Sequence, residues 1–340
     1  MKKRLFCWIL LLIWIPSLLI GCAPETNPEN SIEATQQTQD STPTTEPSTE
    51  PPTEPPTEPP TEPPTEPPTE PPTEPPTEPP TEPPTEPPTE PPVDNSKEYI
   101  GSLYTREELL AIDGKNRGYG AGTSKNGKRP PYALSAQKEL GEKYQARFIG
   151  PDTNAVYLTF SLGYEYQNLT ASALDTLKEK NVKGVFFISM HYAEANPDLV
   201  HRIIDEGHIL ASHSRNHYTL ADCSIDTVVY EIMSLHDYIK ETFGYEMTLF
   251  RPPSGYYSPR VLAIAQSLGY TTVEWSFAYY DYEETDQPDI EKSKKLLIDS
   301  AHNGAIYALH TVSTTNIAIL GDVIDGIRAK GYEFQLYNGQ

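Results

Sequence analysis

Two imidazoles four residues apart, in His213-Ser214-Arg215-Asn216-His217, follow a short apolar run, Ile209 to Ser212, and open the question of what this chain does. On one helical turn, positions i and i+4 share a face, so both rings could address one metal ion. The pair alone is weak evidence in a chain with eight histidines. Other polar groups stand at the ends of β-rich runs in the same way: Ser161 to Glu165, Arg251 to Ser254, Trp275 to Asp281, and His310 to Ser313.

The elements that must position these groups alternate between two periods. Strands are predicted at Val156–Phe160, Val185–Ile188, Ile209–Ser212, Thr271–Ser276, Ala305–His310 and, finally, Glu333–Leu336. Between them lie helical stretches at Thr170–Lys180, Pro197–Glu206, Ser258–Ser267, Ile290–Ala301 and Asn316–Ala329, and one capped by Ser224 that runs to about Thr242. Repeated strand–helix units imply parallel strands with right-handed crossovers, either an open doubly wound sheet or a (β/α) barrel. In both, ligands gather at the carboxyl ends of the strands, where the five polar segments fall.

Ahead of this region the composition changes. Residues 1–21 carry Lys2, Lys3 and Arg4 and then an apolar run broken by Pro16, the form of an export signal rather than a spanning helix. Leu19-Ile20-Gly21-Cys22 resembles the lipobox of bacterial lipoproteins, which would make Cys22 the lipidated N-terminus. Residues 22–97 form a stalk nearly free of large apolar groups, with Pro-Pro-Thr-Glu repeated ten times from Pro51 to Glu90. Such a segment is expected to be disordered, because it buries too little to offset its ordering entropy, and extended, because of its prolines and like charges. At 3.1 Å per residue the repeat would span roughly 120 Å, enough to carry a domain from the membrane into a cell wall.

Charge is distributed unevenly. Of the formal −22, residues 23–97 hold 17 acids against one lysine, a net −16; the first 21 residues contribute +3, which leaves −9 for the remainder. No basic stripe for nucleic acid exists. Of three cysteines, Cys7 leaves with the signal and Cys22 takes lipid, so Cys223 remains alone and no disulfide supports the fold. A lead-in covers residues 98–150, with a short helix around Tyr104–Leu110, and the main domain covers 151–340.

The ordered motifs resemble the NodB-type polysaccharide deacetylases, carbohydrate esterase family four, and among them the muramic acid de-N-acetylases. The residues that carry this are Val156-Tyr157-Leu158-Thr159-Phe160, the His213/His217 pair, Arg251-Pro252-Pro253, Trp275-Ser276-Phe277-Ala278 with Asp281, and Gly304 to Ser313. The resemblance implies a distorted (β/α) barrel, hydrolysis of N-acetyl groups on cell-wall glycan (peptidoglycan), and a divalent metal, expected to be zinc. It casts His213 and His217 as metal ligands, His310 as the acid that protonates the leaving amine, Asp281 as its carboxylate partner, and Arg251 as the group that positions the base. Together with the lipobox it implies a protein anchored at the outer face of a bacterial membrane. His191, His201, His208, His236 and His302 match no motif.

The first motif departs from the family. Relatives carry Thr-Phe-Asp-Asp-Gly or Thr-Phe-Asp-Asn-Gly, in which the first Asp is the base and the next residue serves the metal. Here Ser161 holds the base position and Leu162 the third ligand position. Losing a general base typically costs about 10² to 10⁴ in rate, and two ligands hold a metal less tightly than three. Glu165, four residues on, is a candidate substitute, although a structural role is the better reading. Tyr282 replaces a Trp and Ser254 an Arg, which weakens the expectation of a muramic acid substrate. Two functions are therefore expected from the motifs: a wall-glycan deacetylase with an altered base, or a glycan-binding pseudoenzyme.

Overall fold

The computed structural model describes residues 103–120 and 124–340. The expected export signal, the expected lipidation site Cys22 and the repeat segment lie outside the described residues.

Ten strands are described: β1 (Arg117–Gly118), β2 (Ala146–Arg147), β3 (Ala155–Leu162), β4 (Val185–Ile188), β5 (Ile209–Ser212), β6 (Leu249–Phe250), β7 (Tyr256–Tyr257), β8 (Thr271–Val273), β9 (Ala305–His310) and β10 (Glu333–Phe334). β1 and β7 form a small antiparallel pair. The remaining eight make one sheet in which β3, β4, β5, β6, β8 and β2 follow in order, all parallel, while β9 and β10 both pair with β3. Past β8 the chain bends back to β9. Ser276 N and Phe277 N donate to Ile306 O at 3.0 and 3.1 Å, and Ala308 N donates to Phe277 O at 2.9 Å. This contact joins the two ends of the curled sheet, so the sheet is the distorted barrel rather than an open doubly wound one.

Alternation along the strands divides the core into two layers. Ala155, Tyr157, Val185, Phe187, Ala211, Leu249, Val273 and Ile306 form the smaller inner cluster. Val156, Leu158, Phe160, Leu162, Phe186, Ile188 and Leu309 belong to the larger cluster that packs under the helices. Serine residues cap helices between the strands, the one at Ser224 as expected. Ser224 accepts from Thr227 N at the start of Ile225–Phe243, and Ser313 accepts from Asn316 N at the start of Thr314–Ala329.

Several boundaries differ from expectation. β3 runs two residues further, through Ser161 and Leu162, because Phe187 and Ile188 of β4 continue the ladder beside them. β8 stops at Val273 where the chain turns toward β9. The helix Pro131–Ala136 with the wide turn Gln137–Gly141 has no clear sequence period, and neither do the two-residue strands β2 and β6. β2 comes from the lead-in and pairs with β8, so residues before 150 complete the same sheet.

Candidate active site

The two imidazoles are brought together by a loop and not by a helical turn, which corrects the geometry expected from their spacing. After β5, Ser214 and His217 both adopt left-handed backbone conformations, with φ of 68° and 60°. Such φ values strain a residue that carries a Cβ. The buried Glu231, from the helix Ile225–Phe243, holds the loop in place: its carboxylate accepts from Asn216 N at 2.7 Å and Asn216 Nδ2 at 2.6 Å, and its carbonyl accepts from Arg215 N at 2.9 Å. Ser214 Oγ accepts from His217 N at 3.1 Å. Nothing in the spacing of Glu231 pointed to this role; a buried acid on the core face of a helix is the one trace it leaves in the sequence.

The rings of His213 and His217 lie 4.9 Å apart, centroid to centroid, at 78°. His213 Nδ1 lies 2.8 Å from the carbonyl oxygen of Arg251. A carbonyl only accepts, so Nδ1 carries the proton and the Nε2 lone pair is free. Burial pushes the pKa of both imidazoles down, His217 to about 4, reinforced by the neighbouring His310, and His213 further, with His217 beside it. Both are neutral near pH 7.

His310 ends β9 directly beside Ser161 on β3. Its Nδ1 lies 2.8 Å from Asp281 Oδ1, and its backbone N donates to Asp281 Oδ2 at 3.0 Å. Asp281 is 1% exposed, and its Oδ2 also accepts from Asn316 Nδ2 at 2.6 Å. The same Asn316 Nδ2 donates to His310 O at 3.0 Å, and Tyr279 OH donates to Asn316 Oδ1. Asp281 and His310 were expected to meet. Asn316 was read only as the start of a helix, and it is what locks the pair.

Arg251 lies fully buried inside the barrel. Nε donates to Val273 O at 2.9 Å, Nη2 to Thr159 Oγ1 at 2.8 Å and Glu274 O at 3.2 Å, and Nη1 to Ser161 Oγ at 3.3 Å. Its guanidinium also stacks 4.1 Å from the Phe187 ring centroid. Every one of these partners is neutral. Burial lowers its pKa to about 9, so it remains cationic at neutral pH. At the base position the serine hydroxyl takes the bond from Arg251, without the charge. One residue past β8, the buried Glu274 has both carboxylate oxygens free of hydrogen-bond partners. Burial pushes its pKa up to about 8 against the opposing pull of Arg251. An acid inside the predicted strand Thr271–Ser276 was the available signal.

Glu165 does not replace the missing base. Its Oε1 accepts from Thr170 N at 3.1 Å, at the first turn of Leu169–Glu179, and its Oε2 from Tyr192 OH at 3.3 Å. Leu162 is 1% exposed and part of the apolar layer under the helices. Ser254 sits exposed in a left-handed conformation with φ of 55°. Cys223 is half-buried and burial pushes its thiol up to about 11, so it is an unreactive thiol.

Residues 149–273 match the polysaccharide deacetylase family model. The chain is 38% identical over 209 residues to the peptidoglycan-N-acetylmuramic acid deacetylase PdaA of Bacillus subtilis, covering 61% of this chain and 79% of that protein. The chain belongs to the polysaccharide deacetylase family. An uncharacterised Geobacillus stearothermophilus protein is likewise 38% identical over 212 residues, 62% of this chain and 80% of its own length. The solved structure of Bacillus subtilis PdaA, a family 4 carbohydrate esterase, superposes with a TM-score of 0.61 at 35% identity, covering 66% of this chain and 95% of that one.

For a polysaccharide deacetylase the donor set is short. Among the described residues no group of three or more His, Cys, Asp and Glu stands together as a metal cage. The two imidazoles with Leu162 do not fit a divalent centre held by three protein ligands. What remains complete is the other half of the site, the fixed His310–Asp281–Asn316 assembly facing His213 and His217.

Proposed function

We propose that the chain takes N-acetylated cell-wall glycan across the carboxyl ends of its strands and hydrolyses the acetamide to acetate and a free amine. The observation that carries this reading is the His310–Asp281–Asn316 assembly, which aims a partly exposed imidazole at the mouth of the barrel. With Nδ1–H held by Asp281, His310 in its doubly protonated form delivers the Nε2 proton to the departing nitrogen. Water attacks the acetamide carbon and gives up a proton. Ser161 cannot take that proton near neutral pH, and the basic groups at hand are the unprotonated imidazoles of His213 and His217. A rate below that of a carboxylate-based site, by about 10² to 10⁴, is the expected consequence.

A second reading, glycan retention without turnover, is favoured by one specific observation: Arg251 donates to a hydroxyl, with Leu162 packed away in the apolar layer, so base and third ligand are lost together. We also propose that the chain is exported, lipidated at Cys22 and anchored at the outer face of the membrane, with the repeat stalk reaching into the wall. The lipobox and the composition of residues 22–97 support this.

Incubating the purified protein with peptidoglycan, with and without Zn²⁺, and assaying free acetate separates the two. Release that disappears in His310→Ala establishes hydrolysis. A parent that sediments with peptidoglycan yet releases no acetate moves the protein to the second reading. Palmitate labelling lost in Cys22→Ala tests the anchor.

A further inference from the structure

The lock on the acid pair continues outward beyond Asn316, into two residues that take no part in the proton transfer itself. Asn316 is 3% exposed, and its Nδ2 faces two atoms that only accept, Asp281 Oδ2 at 2.6 Å and His310 O at 3.0 Å. Those acceptors decide which way round the amide sits, because the opposite sense would set Oδ1 against a carboxylate and a carbonyl. Oδ1 then needs a donor of its own on the far side, since a buried acceptor left without one costs free energy. Tyr279 OH is that donor.

The phenol gives its proton in one direction. Its ring lies 6.1 Å from that of Phe277, at 27°, and Phe277 is fully buried with its backbone N donating to Ile306 O on β9. Ser293, 3% exposed on the helix Ile290–Asp299, donates its hydroxyl to the Tyr279 oxygen. That oxygen is therefore occupied as an acceptor, and its proton is left for Asn316. Burial, with the charge of Asp281, pushes the phenol pKa up, so the proton stays in place across neutral and mildly alkaline pH. The backbone end of Asn316 is fixed separately, with its N–H donating to Ser313 Oγ at 3.1 Å. What remains free is rotation of the amide, a torsion with broad, nearly two-fold preferences.

We propose that Tyr279 is a positioning residue for the acid step, acting through Asn316 on Asp281 and His310, with Ser293 directing its proton. This rests on the reading of His310 as proton donor to the leaving amine and extends it to two residues that touch no substrate. Asp281 holds the imidazole through Nδ1 at 2.8 Å, and a proton donor acts well only when its ring is held in the reacting orientation. Without the phenol hydroxyl the amide can turn over and set Oδ1 against Asp281 Oδ2, which loosens the carboxylate and the ring it holds.

Two readouts on the full-length protein test this, and one of them needs no turnover. By NMR, the His310 Nδ1 proton should exchange with water about 2- to 10-fold faster in Tyr279→Phe than in the parent, the factor expected for one net hydrogen bond. Asn316→Ala should exchange at least as fast, and Tyr279→Phe/Asn316→Ala no faster than Asn316→Ala alone, since both substitutions cut one path. In the acetate assay on peptidoglycan, Tyr279→Phe should lower kcat by a similar factor and leave KM at the parent value. Ser293→Ala should fall between the parent and Tyr279→Phe in both measurements. Exchange in Tyr279→Phe equal to that of the parent overturns the proposal, as do losses in the double variant that equal the product of the two single ones. A raised KM with unchanged kcat in Tyr279→Phe overturns it as well. A parent that releases no acetate sinks the hydrolytic reading, and the exchange rates still decide whether Tyr279 acts through Asn316.

Discussion

Ser161→Asp places a carboxylate at the hydroxyl to which Arg251 Nη1 donates, and its effect follows from the present cost of that cation. The guanidinium is completely buried among neutral partners, with Ser161 Oγ 3.3 Å from Nη1. The fall of its pKa from 12.5 to about 9 corresponds, at 1.36 kcal/mol per pH unit, to about 5 kcal/mol of burial penalty. Breaking a buried ion pair by removing one partner typically costs about 3–5 kcal/mol. Supplying the partner to a cation that is already buried should recover a similar amount. For a domain of this size 1 kcal/mol moves the melting temperature by about 2–4 °C, so the variant should melt roughly 6–20 °C above the parent at pH 7. Ser161→Asn, similar in shape but uncharged, should gain under about 1 kcal/mol. Paired with Arg251, the new carboxyl has its folded pKa depressed, so its stabilisation is present above the unfolded carboxylate value and lost as pH falls through the folded one. Calorimetry at pH 7 and pH 3 measures both features. Asp and Asn variants that melt together at pH 7, or a gain that persists unchanged at low pH, would refute the electrostatic reasoning. Acetate release should rise about 10²- to 10⁴-fold in the same variant as the general base returns.

The remaining expectations concern the groups around that pair. Leu162→Asn should lower stability by about 2–4 kcal/mol in urea titration, since it places an amide in an apolar layer; parent-like stability together with zinc binding would show the side chain turning inward instead. Glu231→Ala removes two bonds to Asn216 and should cost about 1–3 kcal/mol, and the ring resonances of His217 should shift if the loop relaxes. Glu274 has a folded pKa raised to about 8, so the unfolded state releases its proton first and stability falls as pH climbs from the unfolded value of 4.5 through 8. Glu274→Gln should remove that slope, leaving the variant more stable than the parent at pH 9 and similar at pH 4; parallel denaturation curves at both pH values would contradict it.

Much of the fold was legible because the strands are short, uninterrupted apolar runs between amphipathic helices. β4, β5 and β9 fall where the period changes, and Ser224 caps its helix through the hydroxyl that a sequence reading assigns to it. The wide turn after Ala136 and the two-residue strands β2 and β6 escaped, since two residues carry no period and their pairing depends on distant partners. The same distinction runs through the site. Residue type and order along the chain determined which chemistry was available: imidazoles after β5, an arginine after β6, an acid after β8, an imidazole at the end of β9, and no carboxylate at positions 161 and 162. Those facts are local, and no folding changes them. The tertiary structure decided which groups act together. It closed the sheet so that Asp281 reaches His310, and it brought Asn316, six residues beyond that histidine, back to lock both. It spent Glu165 on a helix start, and it turned Leu162 outward by strand alternation. Hydrogen-bond partners 29 or 35 residues apart are chosen by the curvature of a sheet, and curvature is a property of all the strands at once.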